Sequence, residues 1–330
     1  MSVVAFLLIA FMIGGYVVLD GYDLGVASIA PFIAKNDRER FAAMQAIGPF
    51  WNGNEVWLVA GGGLLFALFP KGYASSFSGF YLPFIVVLWL LMGRGVALEL
   101  REHYPTRLWH QFWDTCFTVS SALLILLFGI ALGNLIRGVP LDSGGYFLGT
   151  FAFLLNGYAL LVGLFAPAVL AMHGAAFMVL RVDGAPAERA RLMLPRLWTA
   201  TLVLFVAVTI ATFFTRSDEL SNPWLYVLGI LCAVAFAAVL LSAVRRAELA
   251  TFVSSSAFIA LLLGEAAATM YPNLLRGFPN GQGSLSIFDA SPSPVALASA
   301  LGVGIVGMAI VLVYTAFLWR KLAGKVRVGE

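Results

Sequence analysis

Three histidines and two cysteines are few for 330 residues, and their scarcity already excludes several kinds of chemistry. Cys116 and Cys232 lie far apart, within or beside apolar runs and without a CxxC partner. Neither a disulfide framework nor a thiolate metal site follows, and both read as small packing residues. His103 and His110 share one polar connection, and only His173 lies in a long apolar segment, where it reads as a polar residue near the inner interface. That is a poor supply of haem or copper ligands. The nine methionines are irregularly spaced, as gap-filling core residues are. No metal ligand and no haem ligand is therefore expected in this chain. No phosphate-cradling glycine motif, nucleotide fingerprint or nucleophile elbow is present either, so no catalytic side chain is expected.

Charge is scarce as well. Charged residues make up 11% of the chain against 61% hydrophobic, which excludes an ordinary soluble globule. The net charge of +3 is carried by scattered basic residues, so nucleic acid is not an expected partner. Short alternating strands of the outer-membrane barrel type are absent.

What is present is a series of apolar runs, each near the 20 or so residues that cross a hydrocarbon core of roughly 30 Å. The fold expected is all-α and polytopic, a single integral membrane domain over residues 1–330 with about nine transmembrane helices. They fall at 3 to 32, 48 to 69, 78 to 100, 115 to 136, 147 to 180, 197 to 214, 224 to 243, 251 to 271 and 295 to 319. The fifth is too long for a simple crossing and is expected to continue as helix beyond the membrane. Met1 leads directly into the first run without a basic n-region or cleavage site, as a retained helix would. Residues 272–294, rich in Pro, Gly, Asn and Ser, read as a non-helical outer loop.

Basic residues set the orientation. One set of alternate loops holds fifteen: Lys35, Arg38, Arg40, Arg101, Arg107, Arg181, Arg189, Arg191, Arg196, Arg245, Arg246, Arg320, Lys321, Lys325 and Arg327. The other holds four: Lys71, Arg137, Arg216 and Arg276. The N-terminus is accordingly expected outside and the C-terminus in the cytoplasm.

Against this background the carboxylates stand out, because an ionised group in hydrocarbon costs several kcal/mol on simple scales of about 2.5–3.5 or more. The first span carries Asp20 and Asp23, three apart and so on one helix face. The chain turns around at Lys35 to Arg40 and returns through Trp51-Asn52-Gly53-Asn54-Glu55-Val56-Trp57, and the third span brings Arg94 and Glu99 to the same side. At about 1.5 Å of rise per residue, all of these lie near the cytoplasmic end. Four carboxylates and one guanidinium are thus expected in one layer, open to the cytoplasm. A carboxylate held in low dielectric takes up and releases protons near working pH, and Glu55, flanked by the amides of Asn52 and Asn54, is the best placed to do so. The sequence leaves open whether Glu55 carries protons or simply pairs with Arg94. Glu265, near the middle of the eighth span, reads either as a second protonatable site or as a protonated acid bonded to another helix. Gly21 and Gly25 bracket Asp23 in a small-xxx-small spacing that allows close helix packing. Intramembrane carboxylates are also what a proton-coupled secondary transporter would carry, and that is the competing reading; no paired repeat supports it.

The motifs Gly21-Tyr22-Asp23-Leu24-Gly25, Trp51-Asn52-Gly53-Asn54-Glu55-Val56-Trp57-Leu58 and Phe77-Ser78-Gly79-Phe80-Tyr81 resemble subunit II of the cytochrome bd quinol oxidases. Weaker likenesses continue in order through Gly133-Asn134-Leu135, His173-Gly174-Ala175 and Ser284-Leu285-Ser286-Ile287. The WNGNEVW form is similar to the cyanide-insensitive branch. The resemblance implies two helical bundles plus one further helix, in the bacterial cytoplasmic membrane, as part of an electrogenic quinol:dioxygen oxidoreductase. It implies a partner subunit I bearing haem b and haem d, with no cofactor of this chain's own, and leaves room for a bound quinone or lipid and a small single-span subunit. It also implies a role in supplying cytoplasmic protons. In one respect the chain departs from the pattern: many members carry an acid where this chain has Asn52, so Glu55 or Asp23 would have to take over that step.

Overall fold

The computed structural model describes residues 1–219 and 221–328. The chain begins with α1 (Ser2–Ile33), α2 (Asp37–Ile47), α3 (Trp51–Leu68), α4 (Pro70–Gly79), α5 (Tyr81–Leu100) and α6 (Arg107–Arg137). A short α7 (Phe151–Leu154) precedes α8 (Gly157–Arg181), α9 (Ala185–Thr215), α10 (Pro223–Val244) and α11 (Glu248–Met270). A hairpin of β1 (Asn273–Leu275) and β2 (Leu285–Ser286) then leads into α12 (Pro294–Lys321).

Among the described residues, eight helices are long and apolar enough to cross a membrane: α1, α5, α6 and α8 to α12. The expected span at 48 to 69 is α3, which is not one of them. Its first turns hold Asn52, Asn54 and Glu55, and its middle holds Gly61-Gly62-Gly63. Two expectations need correction. The run 147 to 180 is not one long helix, because the chain breaks at Leu155 and restarts with Asn156 capping α8 through Ala159 N–H at 3.0 Å. The helix that runs past its apolar segment is α9, which begins at Ala185 rather than near 197. The turn at Lys35 to Arg40 likewise contains the start of α2. There the Asn36 side chain accepts from Glu39 N–H at 3.0 Å and the Glu39 carboxylate accepts from Lys35 N–H at 2.6 Å, a reciprocal cap.

The helices pack as two groups of four, α1, α3, α5 and α6 beside α8, α9, α10 and α11, with α12 laid against α3 and α1. Glycine sets the closest approach between the groups. A Cβ on Gly25 would meet the Leu170 carbonyl oxygen at 2.0 Å, and one on Gly174 would meet Gly25 backbone carbon at 2.3 Å. The small-xxx-small stripe of α1 therefore touches α8 backbone to backbone. Aromatic side chains fill the space below, with Tyr22 stacked on Phe177 at 4.0 Å between ring centroids.

The two ends of the molecule differ. At one end the β1–β2 hairpin, paired antiparallel with Asn273 opposite Ser286, covers a second core containing Phe6, Phe69, Leu141, Leu275 and Leu285. Ser2 at the start of α1 meets Ser291 there, with 2.9 Å between hydroxyl oxygens. At the other end, where most of the basic residues lie, Arg189 of α9 donates to Glu39 of α2 at 2.6 Å. Arg101 there donates to Asp114 at 2.7 Å and to Asp37 at 2.6 Å.

Candidate functional site

Toward the basic end of α1, Asp20 and Asp23 are both fully buried. The unbroken helix puts them three residues apart on one face, turned toward α3 and α5. Arg94 reaches them from α5 and is itself fully buried. Its two terminal nitrogens both donate to the two oxygens of Asp20, one at 2.7 Å, in a fork-to-fork pair. The same guanidinium stands 3.9 Å from Asp23 and 3.6 Å from Glu55 of α3. One cation thus faces three carboxyl groups.

Asn54 ties α3 to α1. Its amide nitrogen donates to Asp23 at 2.7 Å and to the Tyr22 hydroxyl at 2.8 Å, with the Leu19 carbonyl at 3.3 Å. Asp20 is therefore held by an ionic fork and Asp23 chiefly by an amide. Glu55 is held least: its side chain is 26% exposed and, among the described residues, its one ion-pair contact is the long one to Arg94. The hydroxyl of Tyr16, one turn before Asp20 on the same face, is buried against this group.

Two residues expected in the layer are not in it. Asn52 is exposed, because it lies two residues from Asn54 and so on nearly the opposite side of α3. Glu99 is also exposed and forms no ion pair among the described residues, five positions beyond Arg94 and turned away from the α1 face. Glu265 lies apart in the other helix group, half-buried on α11 and facing α10, where a Cβ on Gly229 would sit 3.5 Å from its carboxylate. It has no ion pair among the described residues.

His173 lies fully buried between α1, α8 and α11. Its Nε2 is 2.9 Å from the Val18 carbonyl, which can only accept, so Nε2 carries the proton. Its Nδ1 is 2.7 Å from the Ser255 hydroxyl. Both ring nitrogens are engaged, and the imidazole stacks on Phe252 at 5.0 Å. His103 meets the Glu99 carbonyl and His110 the Asp37 carboxylate at the polar end. No group of three or more His, Cys, Asp or Glu that could hold a metal is found among the described residues.

These features define a multi-pass helical membrane protein with a buried cluster of carboxylates around one arginine. The family model described as cytochrome bd terminal oxidase subunit II matches residues 1–322. The chain is similar to the cytochrome bd ubiquinol oxidase subunit 2 of Bacillus subtilis, 32% identical with 88% of this chain and 87% of the relative covered. It is similar to the cytochrome bd-I ubiquinol oxidase subunit 2 of Escherichia coli K12, 30% identical with 97% and 93% covered. Among solved structures, the bd oxidase from Geobacillus thermodenitrificans superposes with a TM-score of 0.78 over 97% of each chain at 18% identity, a likeness of fold. The chain belongs to the cytochrome bd terminal oxidase subunit II family. It is a subunit of a quinol oxidase, an oxidoreductase complex of the respiratory chain that contains haem and at least one other subunit. The transporter reading is not favoured.

Proposed function

We propose that this chain is the haem-free subunit of its oxidase and that its Arg94 cluster carries cytoplasmic protons toward a haem-bearing subunit I. In this reading the N-terminus faces outward, the basic end faces the cytoplasm of a bacterial inner membrane, and residues 272–294 close the outer end. Haem b and haem d belong to the partner.

The observation that carries the reading is the graded hold on the three carboxylates. Asp20 is locked to Arg94, Asp23 is held by Asn54, and Glu55 reaches the surface of α3 with only a 3.6 Å contact to the guanidinium. A group that takes and gives protons must not be fixed in one charged pair, and Glu55 is the least fixed of the three. The proposed order is entry at Glu55 and exchange with Asp23 beside Asn54, with Asp20 and Arg94 as the fixed charge pair that keeps the site polar.

The surface around Glu55 supports a partner there. Asn52, Val56, Val59 and Phe66 of α3 and Leu88, Trp89 and Met92 of α5 are exposed. An amide and a carboxylate on an otherwise apolar helix face are costly against lipid and tolerable against protein. Asn52 then belongs to the contact with subunit I, where many relatives would present an acid.

The test is purification of the tagged chain from its native membranes and a reduced-minus-oxidised optical spectrum of the complex. Haem b and haem d bands arriving with a second large subunit, together with quinol-driven oxygen uptake, are expected. A haem-free chain purifying alone and folded would contradict the reading.

A further inference from the structure

Helix α2 is anchored to α9 through Glu39, which accepts from Arg189 at 2.6 Å. Arg40, the next residue and about 100° further round the helix, reaches α6 instead, where it meets Asp114 at 3.3 Å. Arg40, Ala43 and Met44 fall on one face of α2. Between that face, the end of α1 and the start of α6 lies an open groove of about 390 Å³. Pro31 belongs to its α1 wall. Having no N–H, Pro31 leaves the Ala27 carbonyl without a helical donor, and Thr118 of α6 donates there at 3.1 Å.

The groove is graded from polar to apolar. Arg40, Gln111, Asp114 and Thr115 line it toward the basic end, and Val26, Phe117 and Val119 line it farther along. From Gln111 to Val119 helix α6 rises about 12 Å, so the polar rim gives way to the apolar span within one slot. Val119 is exposed and leaves the slot open sideways. The two charged lining residues are opposite in sign and hold each other slackly. Arg40 reaches Asp114 Oδ2 through one nitrogen at 3.3 Å, while Arg101 takes Oδ1 at 2.7 Å and meets Oδ2 only at 3.5 Å. Asp114 Oδ2 has acceptor capacity to spare, and the guanidinium of Arg40, with five N–H donors, has donors to spare.

The structure assigns this groove to one phospholipid with a primary-ammonium headgroup. Its phosphate sits on Arg40, its ammonium on Asp114 Oδ2, and one acyl chain lies along Val26, Phe117 and Val119. A rim with one cation and one anion matches a zwitterion, and an apolar floor open to the bilayer matches a chain. A free phosphate would leave the apolar part unfilled, and a quinone would leave both charges unanswered. The groove uses none of the residues of the Arg94 cluster, so it stands apart from the proton route proposed above.

Photolabelling of the assembled oxidase tests it, in nanodiscs of phosphatidylcholine containing a small fraction of phosphatidylethanolamine with a diazirine on one acyl chain. Label is expected at residues 26–31 and 115–119 several-fold above that at Ile230 and Val234, exposed residues of α10 that face ordinary lipid. Unlabelled phosphatidylethanolamine should compete several-fold better than phosphatidylglycerol, which has no ammonium, or phosphatidylcholine, whose ammonium cannot donate. Arg40→Gln removes the phosphate partner and should weaken retention about tenfold. Val119→Trp fills the apolar floor with the rim intact and should lower groove labelling as well, with α10 labelling unchanged in both variants and haem absorbance reporting assembly. Groove labelling no greater than that of α10, or equal in the parent and both variants, overturns the site. Equal competition by the three lipids overturns the headgroup assignment, and loss of label on adding inorganic phosphate or a short-chain quinone overturns the lipid as occupant. None of these readouts involves proton uptake, so the site and the proton route fail separately.

Discussion

Arg94 and Asp20 meet through both terminal nitrogens of one and both oxygens of the other, with neither side chain exposed. Removing one partner of such a pair leaves a buried charge uncompensated and costs about 3–5 kcal/mol. Asp20→Asn and Arg94→Gln are each expected to lower the thermal midpoint of the solubilised complex sharply or to prevent its assembly. Arg94→Met combined with Asp20→Leu should recover much of the loss, since neutral replacement of both partners is often tolerated. Thermal melting followed by haem absorbance measures both.

Gly25 and Gly174 predict a packing effect of a different kind. Neither helix can take a Cβ at the contact, because the obstacle at each is backbone. Gly25→Ala and Gly174→Ala should each destabilise the chain by more than the roughly 1–3 kcal/mol typical of overpacking. Gly62→Ala, where a Cβ meets nothing within 4 Å, should change little. Comparative yields of folded chain on size exclusion report the difference.

Asn54 donates to Asp23 at 2.7 Å. Asn54→Leu leaves that carboxylate and the Tyr22 hydroxyl without their partner, and an unsatisfied buried group costs about 1–3 kcal/mol. The expected outcome is a lowered melting temperature with the helical content retained, measured by circular dichroism. Asn52→Leu, on the exposed side of the same turn, should leave the melting of the separate chain within about 0.5 kcal/mol of the parent.

The basic end predicts a pH dependence. Burial pushes the Glu39 carboxyl up, and the Arg189 guanidinium with the Lys35 N–H and Asn36 more than offsets it, so its pKa lies below the ordinary value. For Asp37 burial again raises the pKa, and Arg101 and His110 bring it below the ordinary value. A carboxyl whose folded pKa is depressed contributes stability that is present above its unfolded pKa, about 4.3 for Glu and 3.9 for Asp. That stability is lost as pH falls through the folded value. Melting temperature should therefore fall on acidification below about pH 5, and Glu39→Gln should flatten part of the fall. A parent and variant with identical acid profiles would contradict the assignment.

Much of this arrangement was legible in the sequence, for reasons that particular residues make plain. Composition and run length give the helices, and rise per residue puts Asp20, Asp23, Glu55 and Arg94 at one depth, where the fold brings them together. Depth does not give azimuth. Glu99 shares the level of the cluster but lies five residues from Arg94, about 140° around a helix of 3.6 residues per turn, and Asn52 lies opposite Asn54. The helical phase carried this information, since Asp20 and Tyr16, four apart, do share a face. His173 could not be placed from sequence, because its partners Val18 and Ser255 come from distant helices. Helix α2 had a legible signal in Asn36 followed by Asp37 and Glu39, the pattern of a capped start.

The most direct measurement is quinol-driven oxygen uptake, with proton uptake followed from the basic side, by the assembled oxidase carrying Glu55→Gln. Glutamine keeps the shape of the side chain and cannot take a proton. The account predicts intact haem bands and a loss of turnover of about a hundredfold, the scale on which positioned proton transfer acts, with Glu55→Asp retaining partial activity. Unchanged oxygen uptake with unchanged haem content would contradict it.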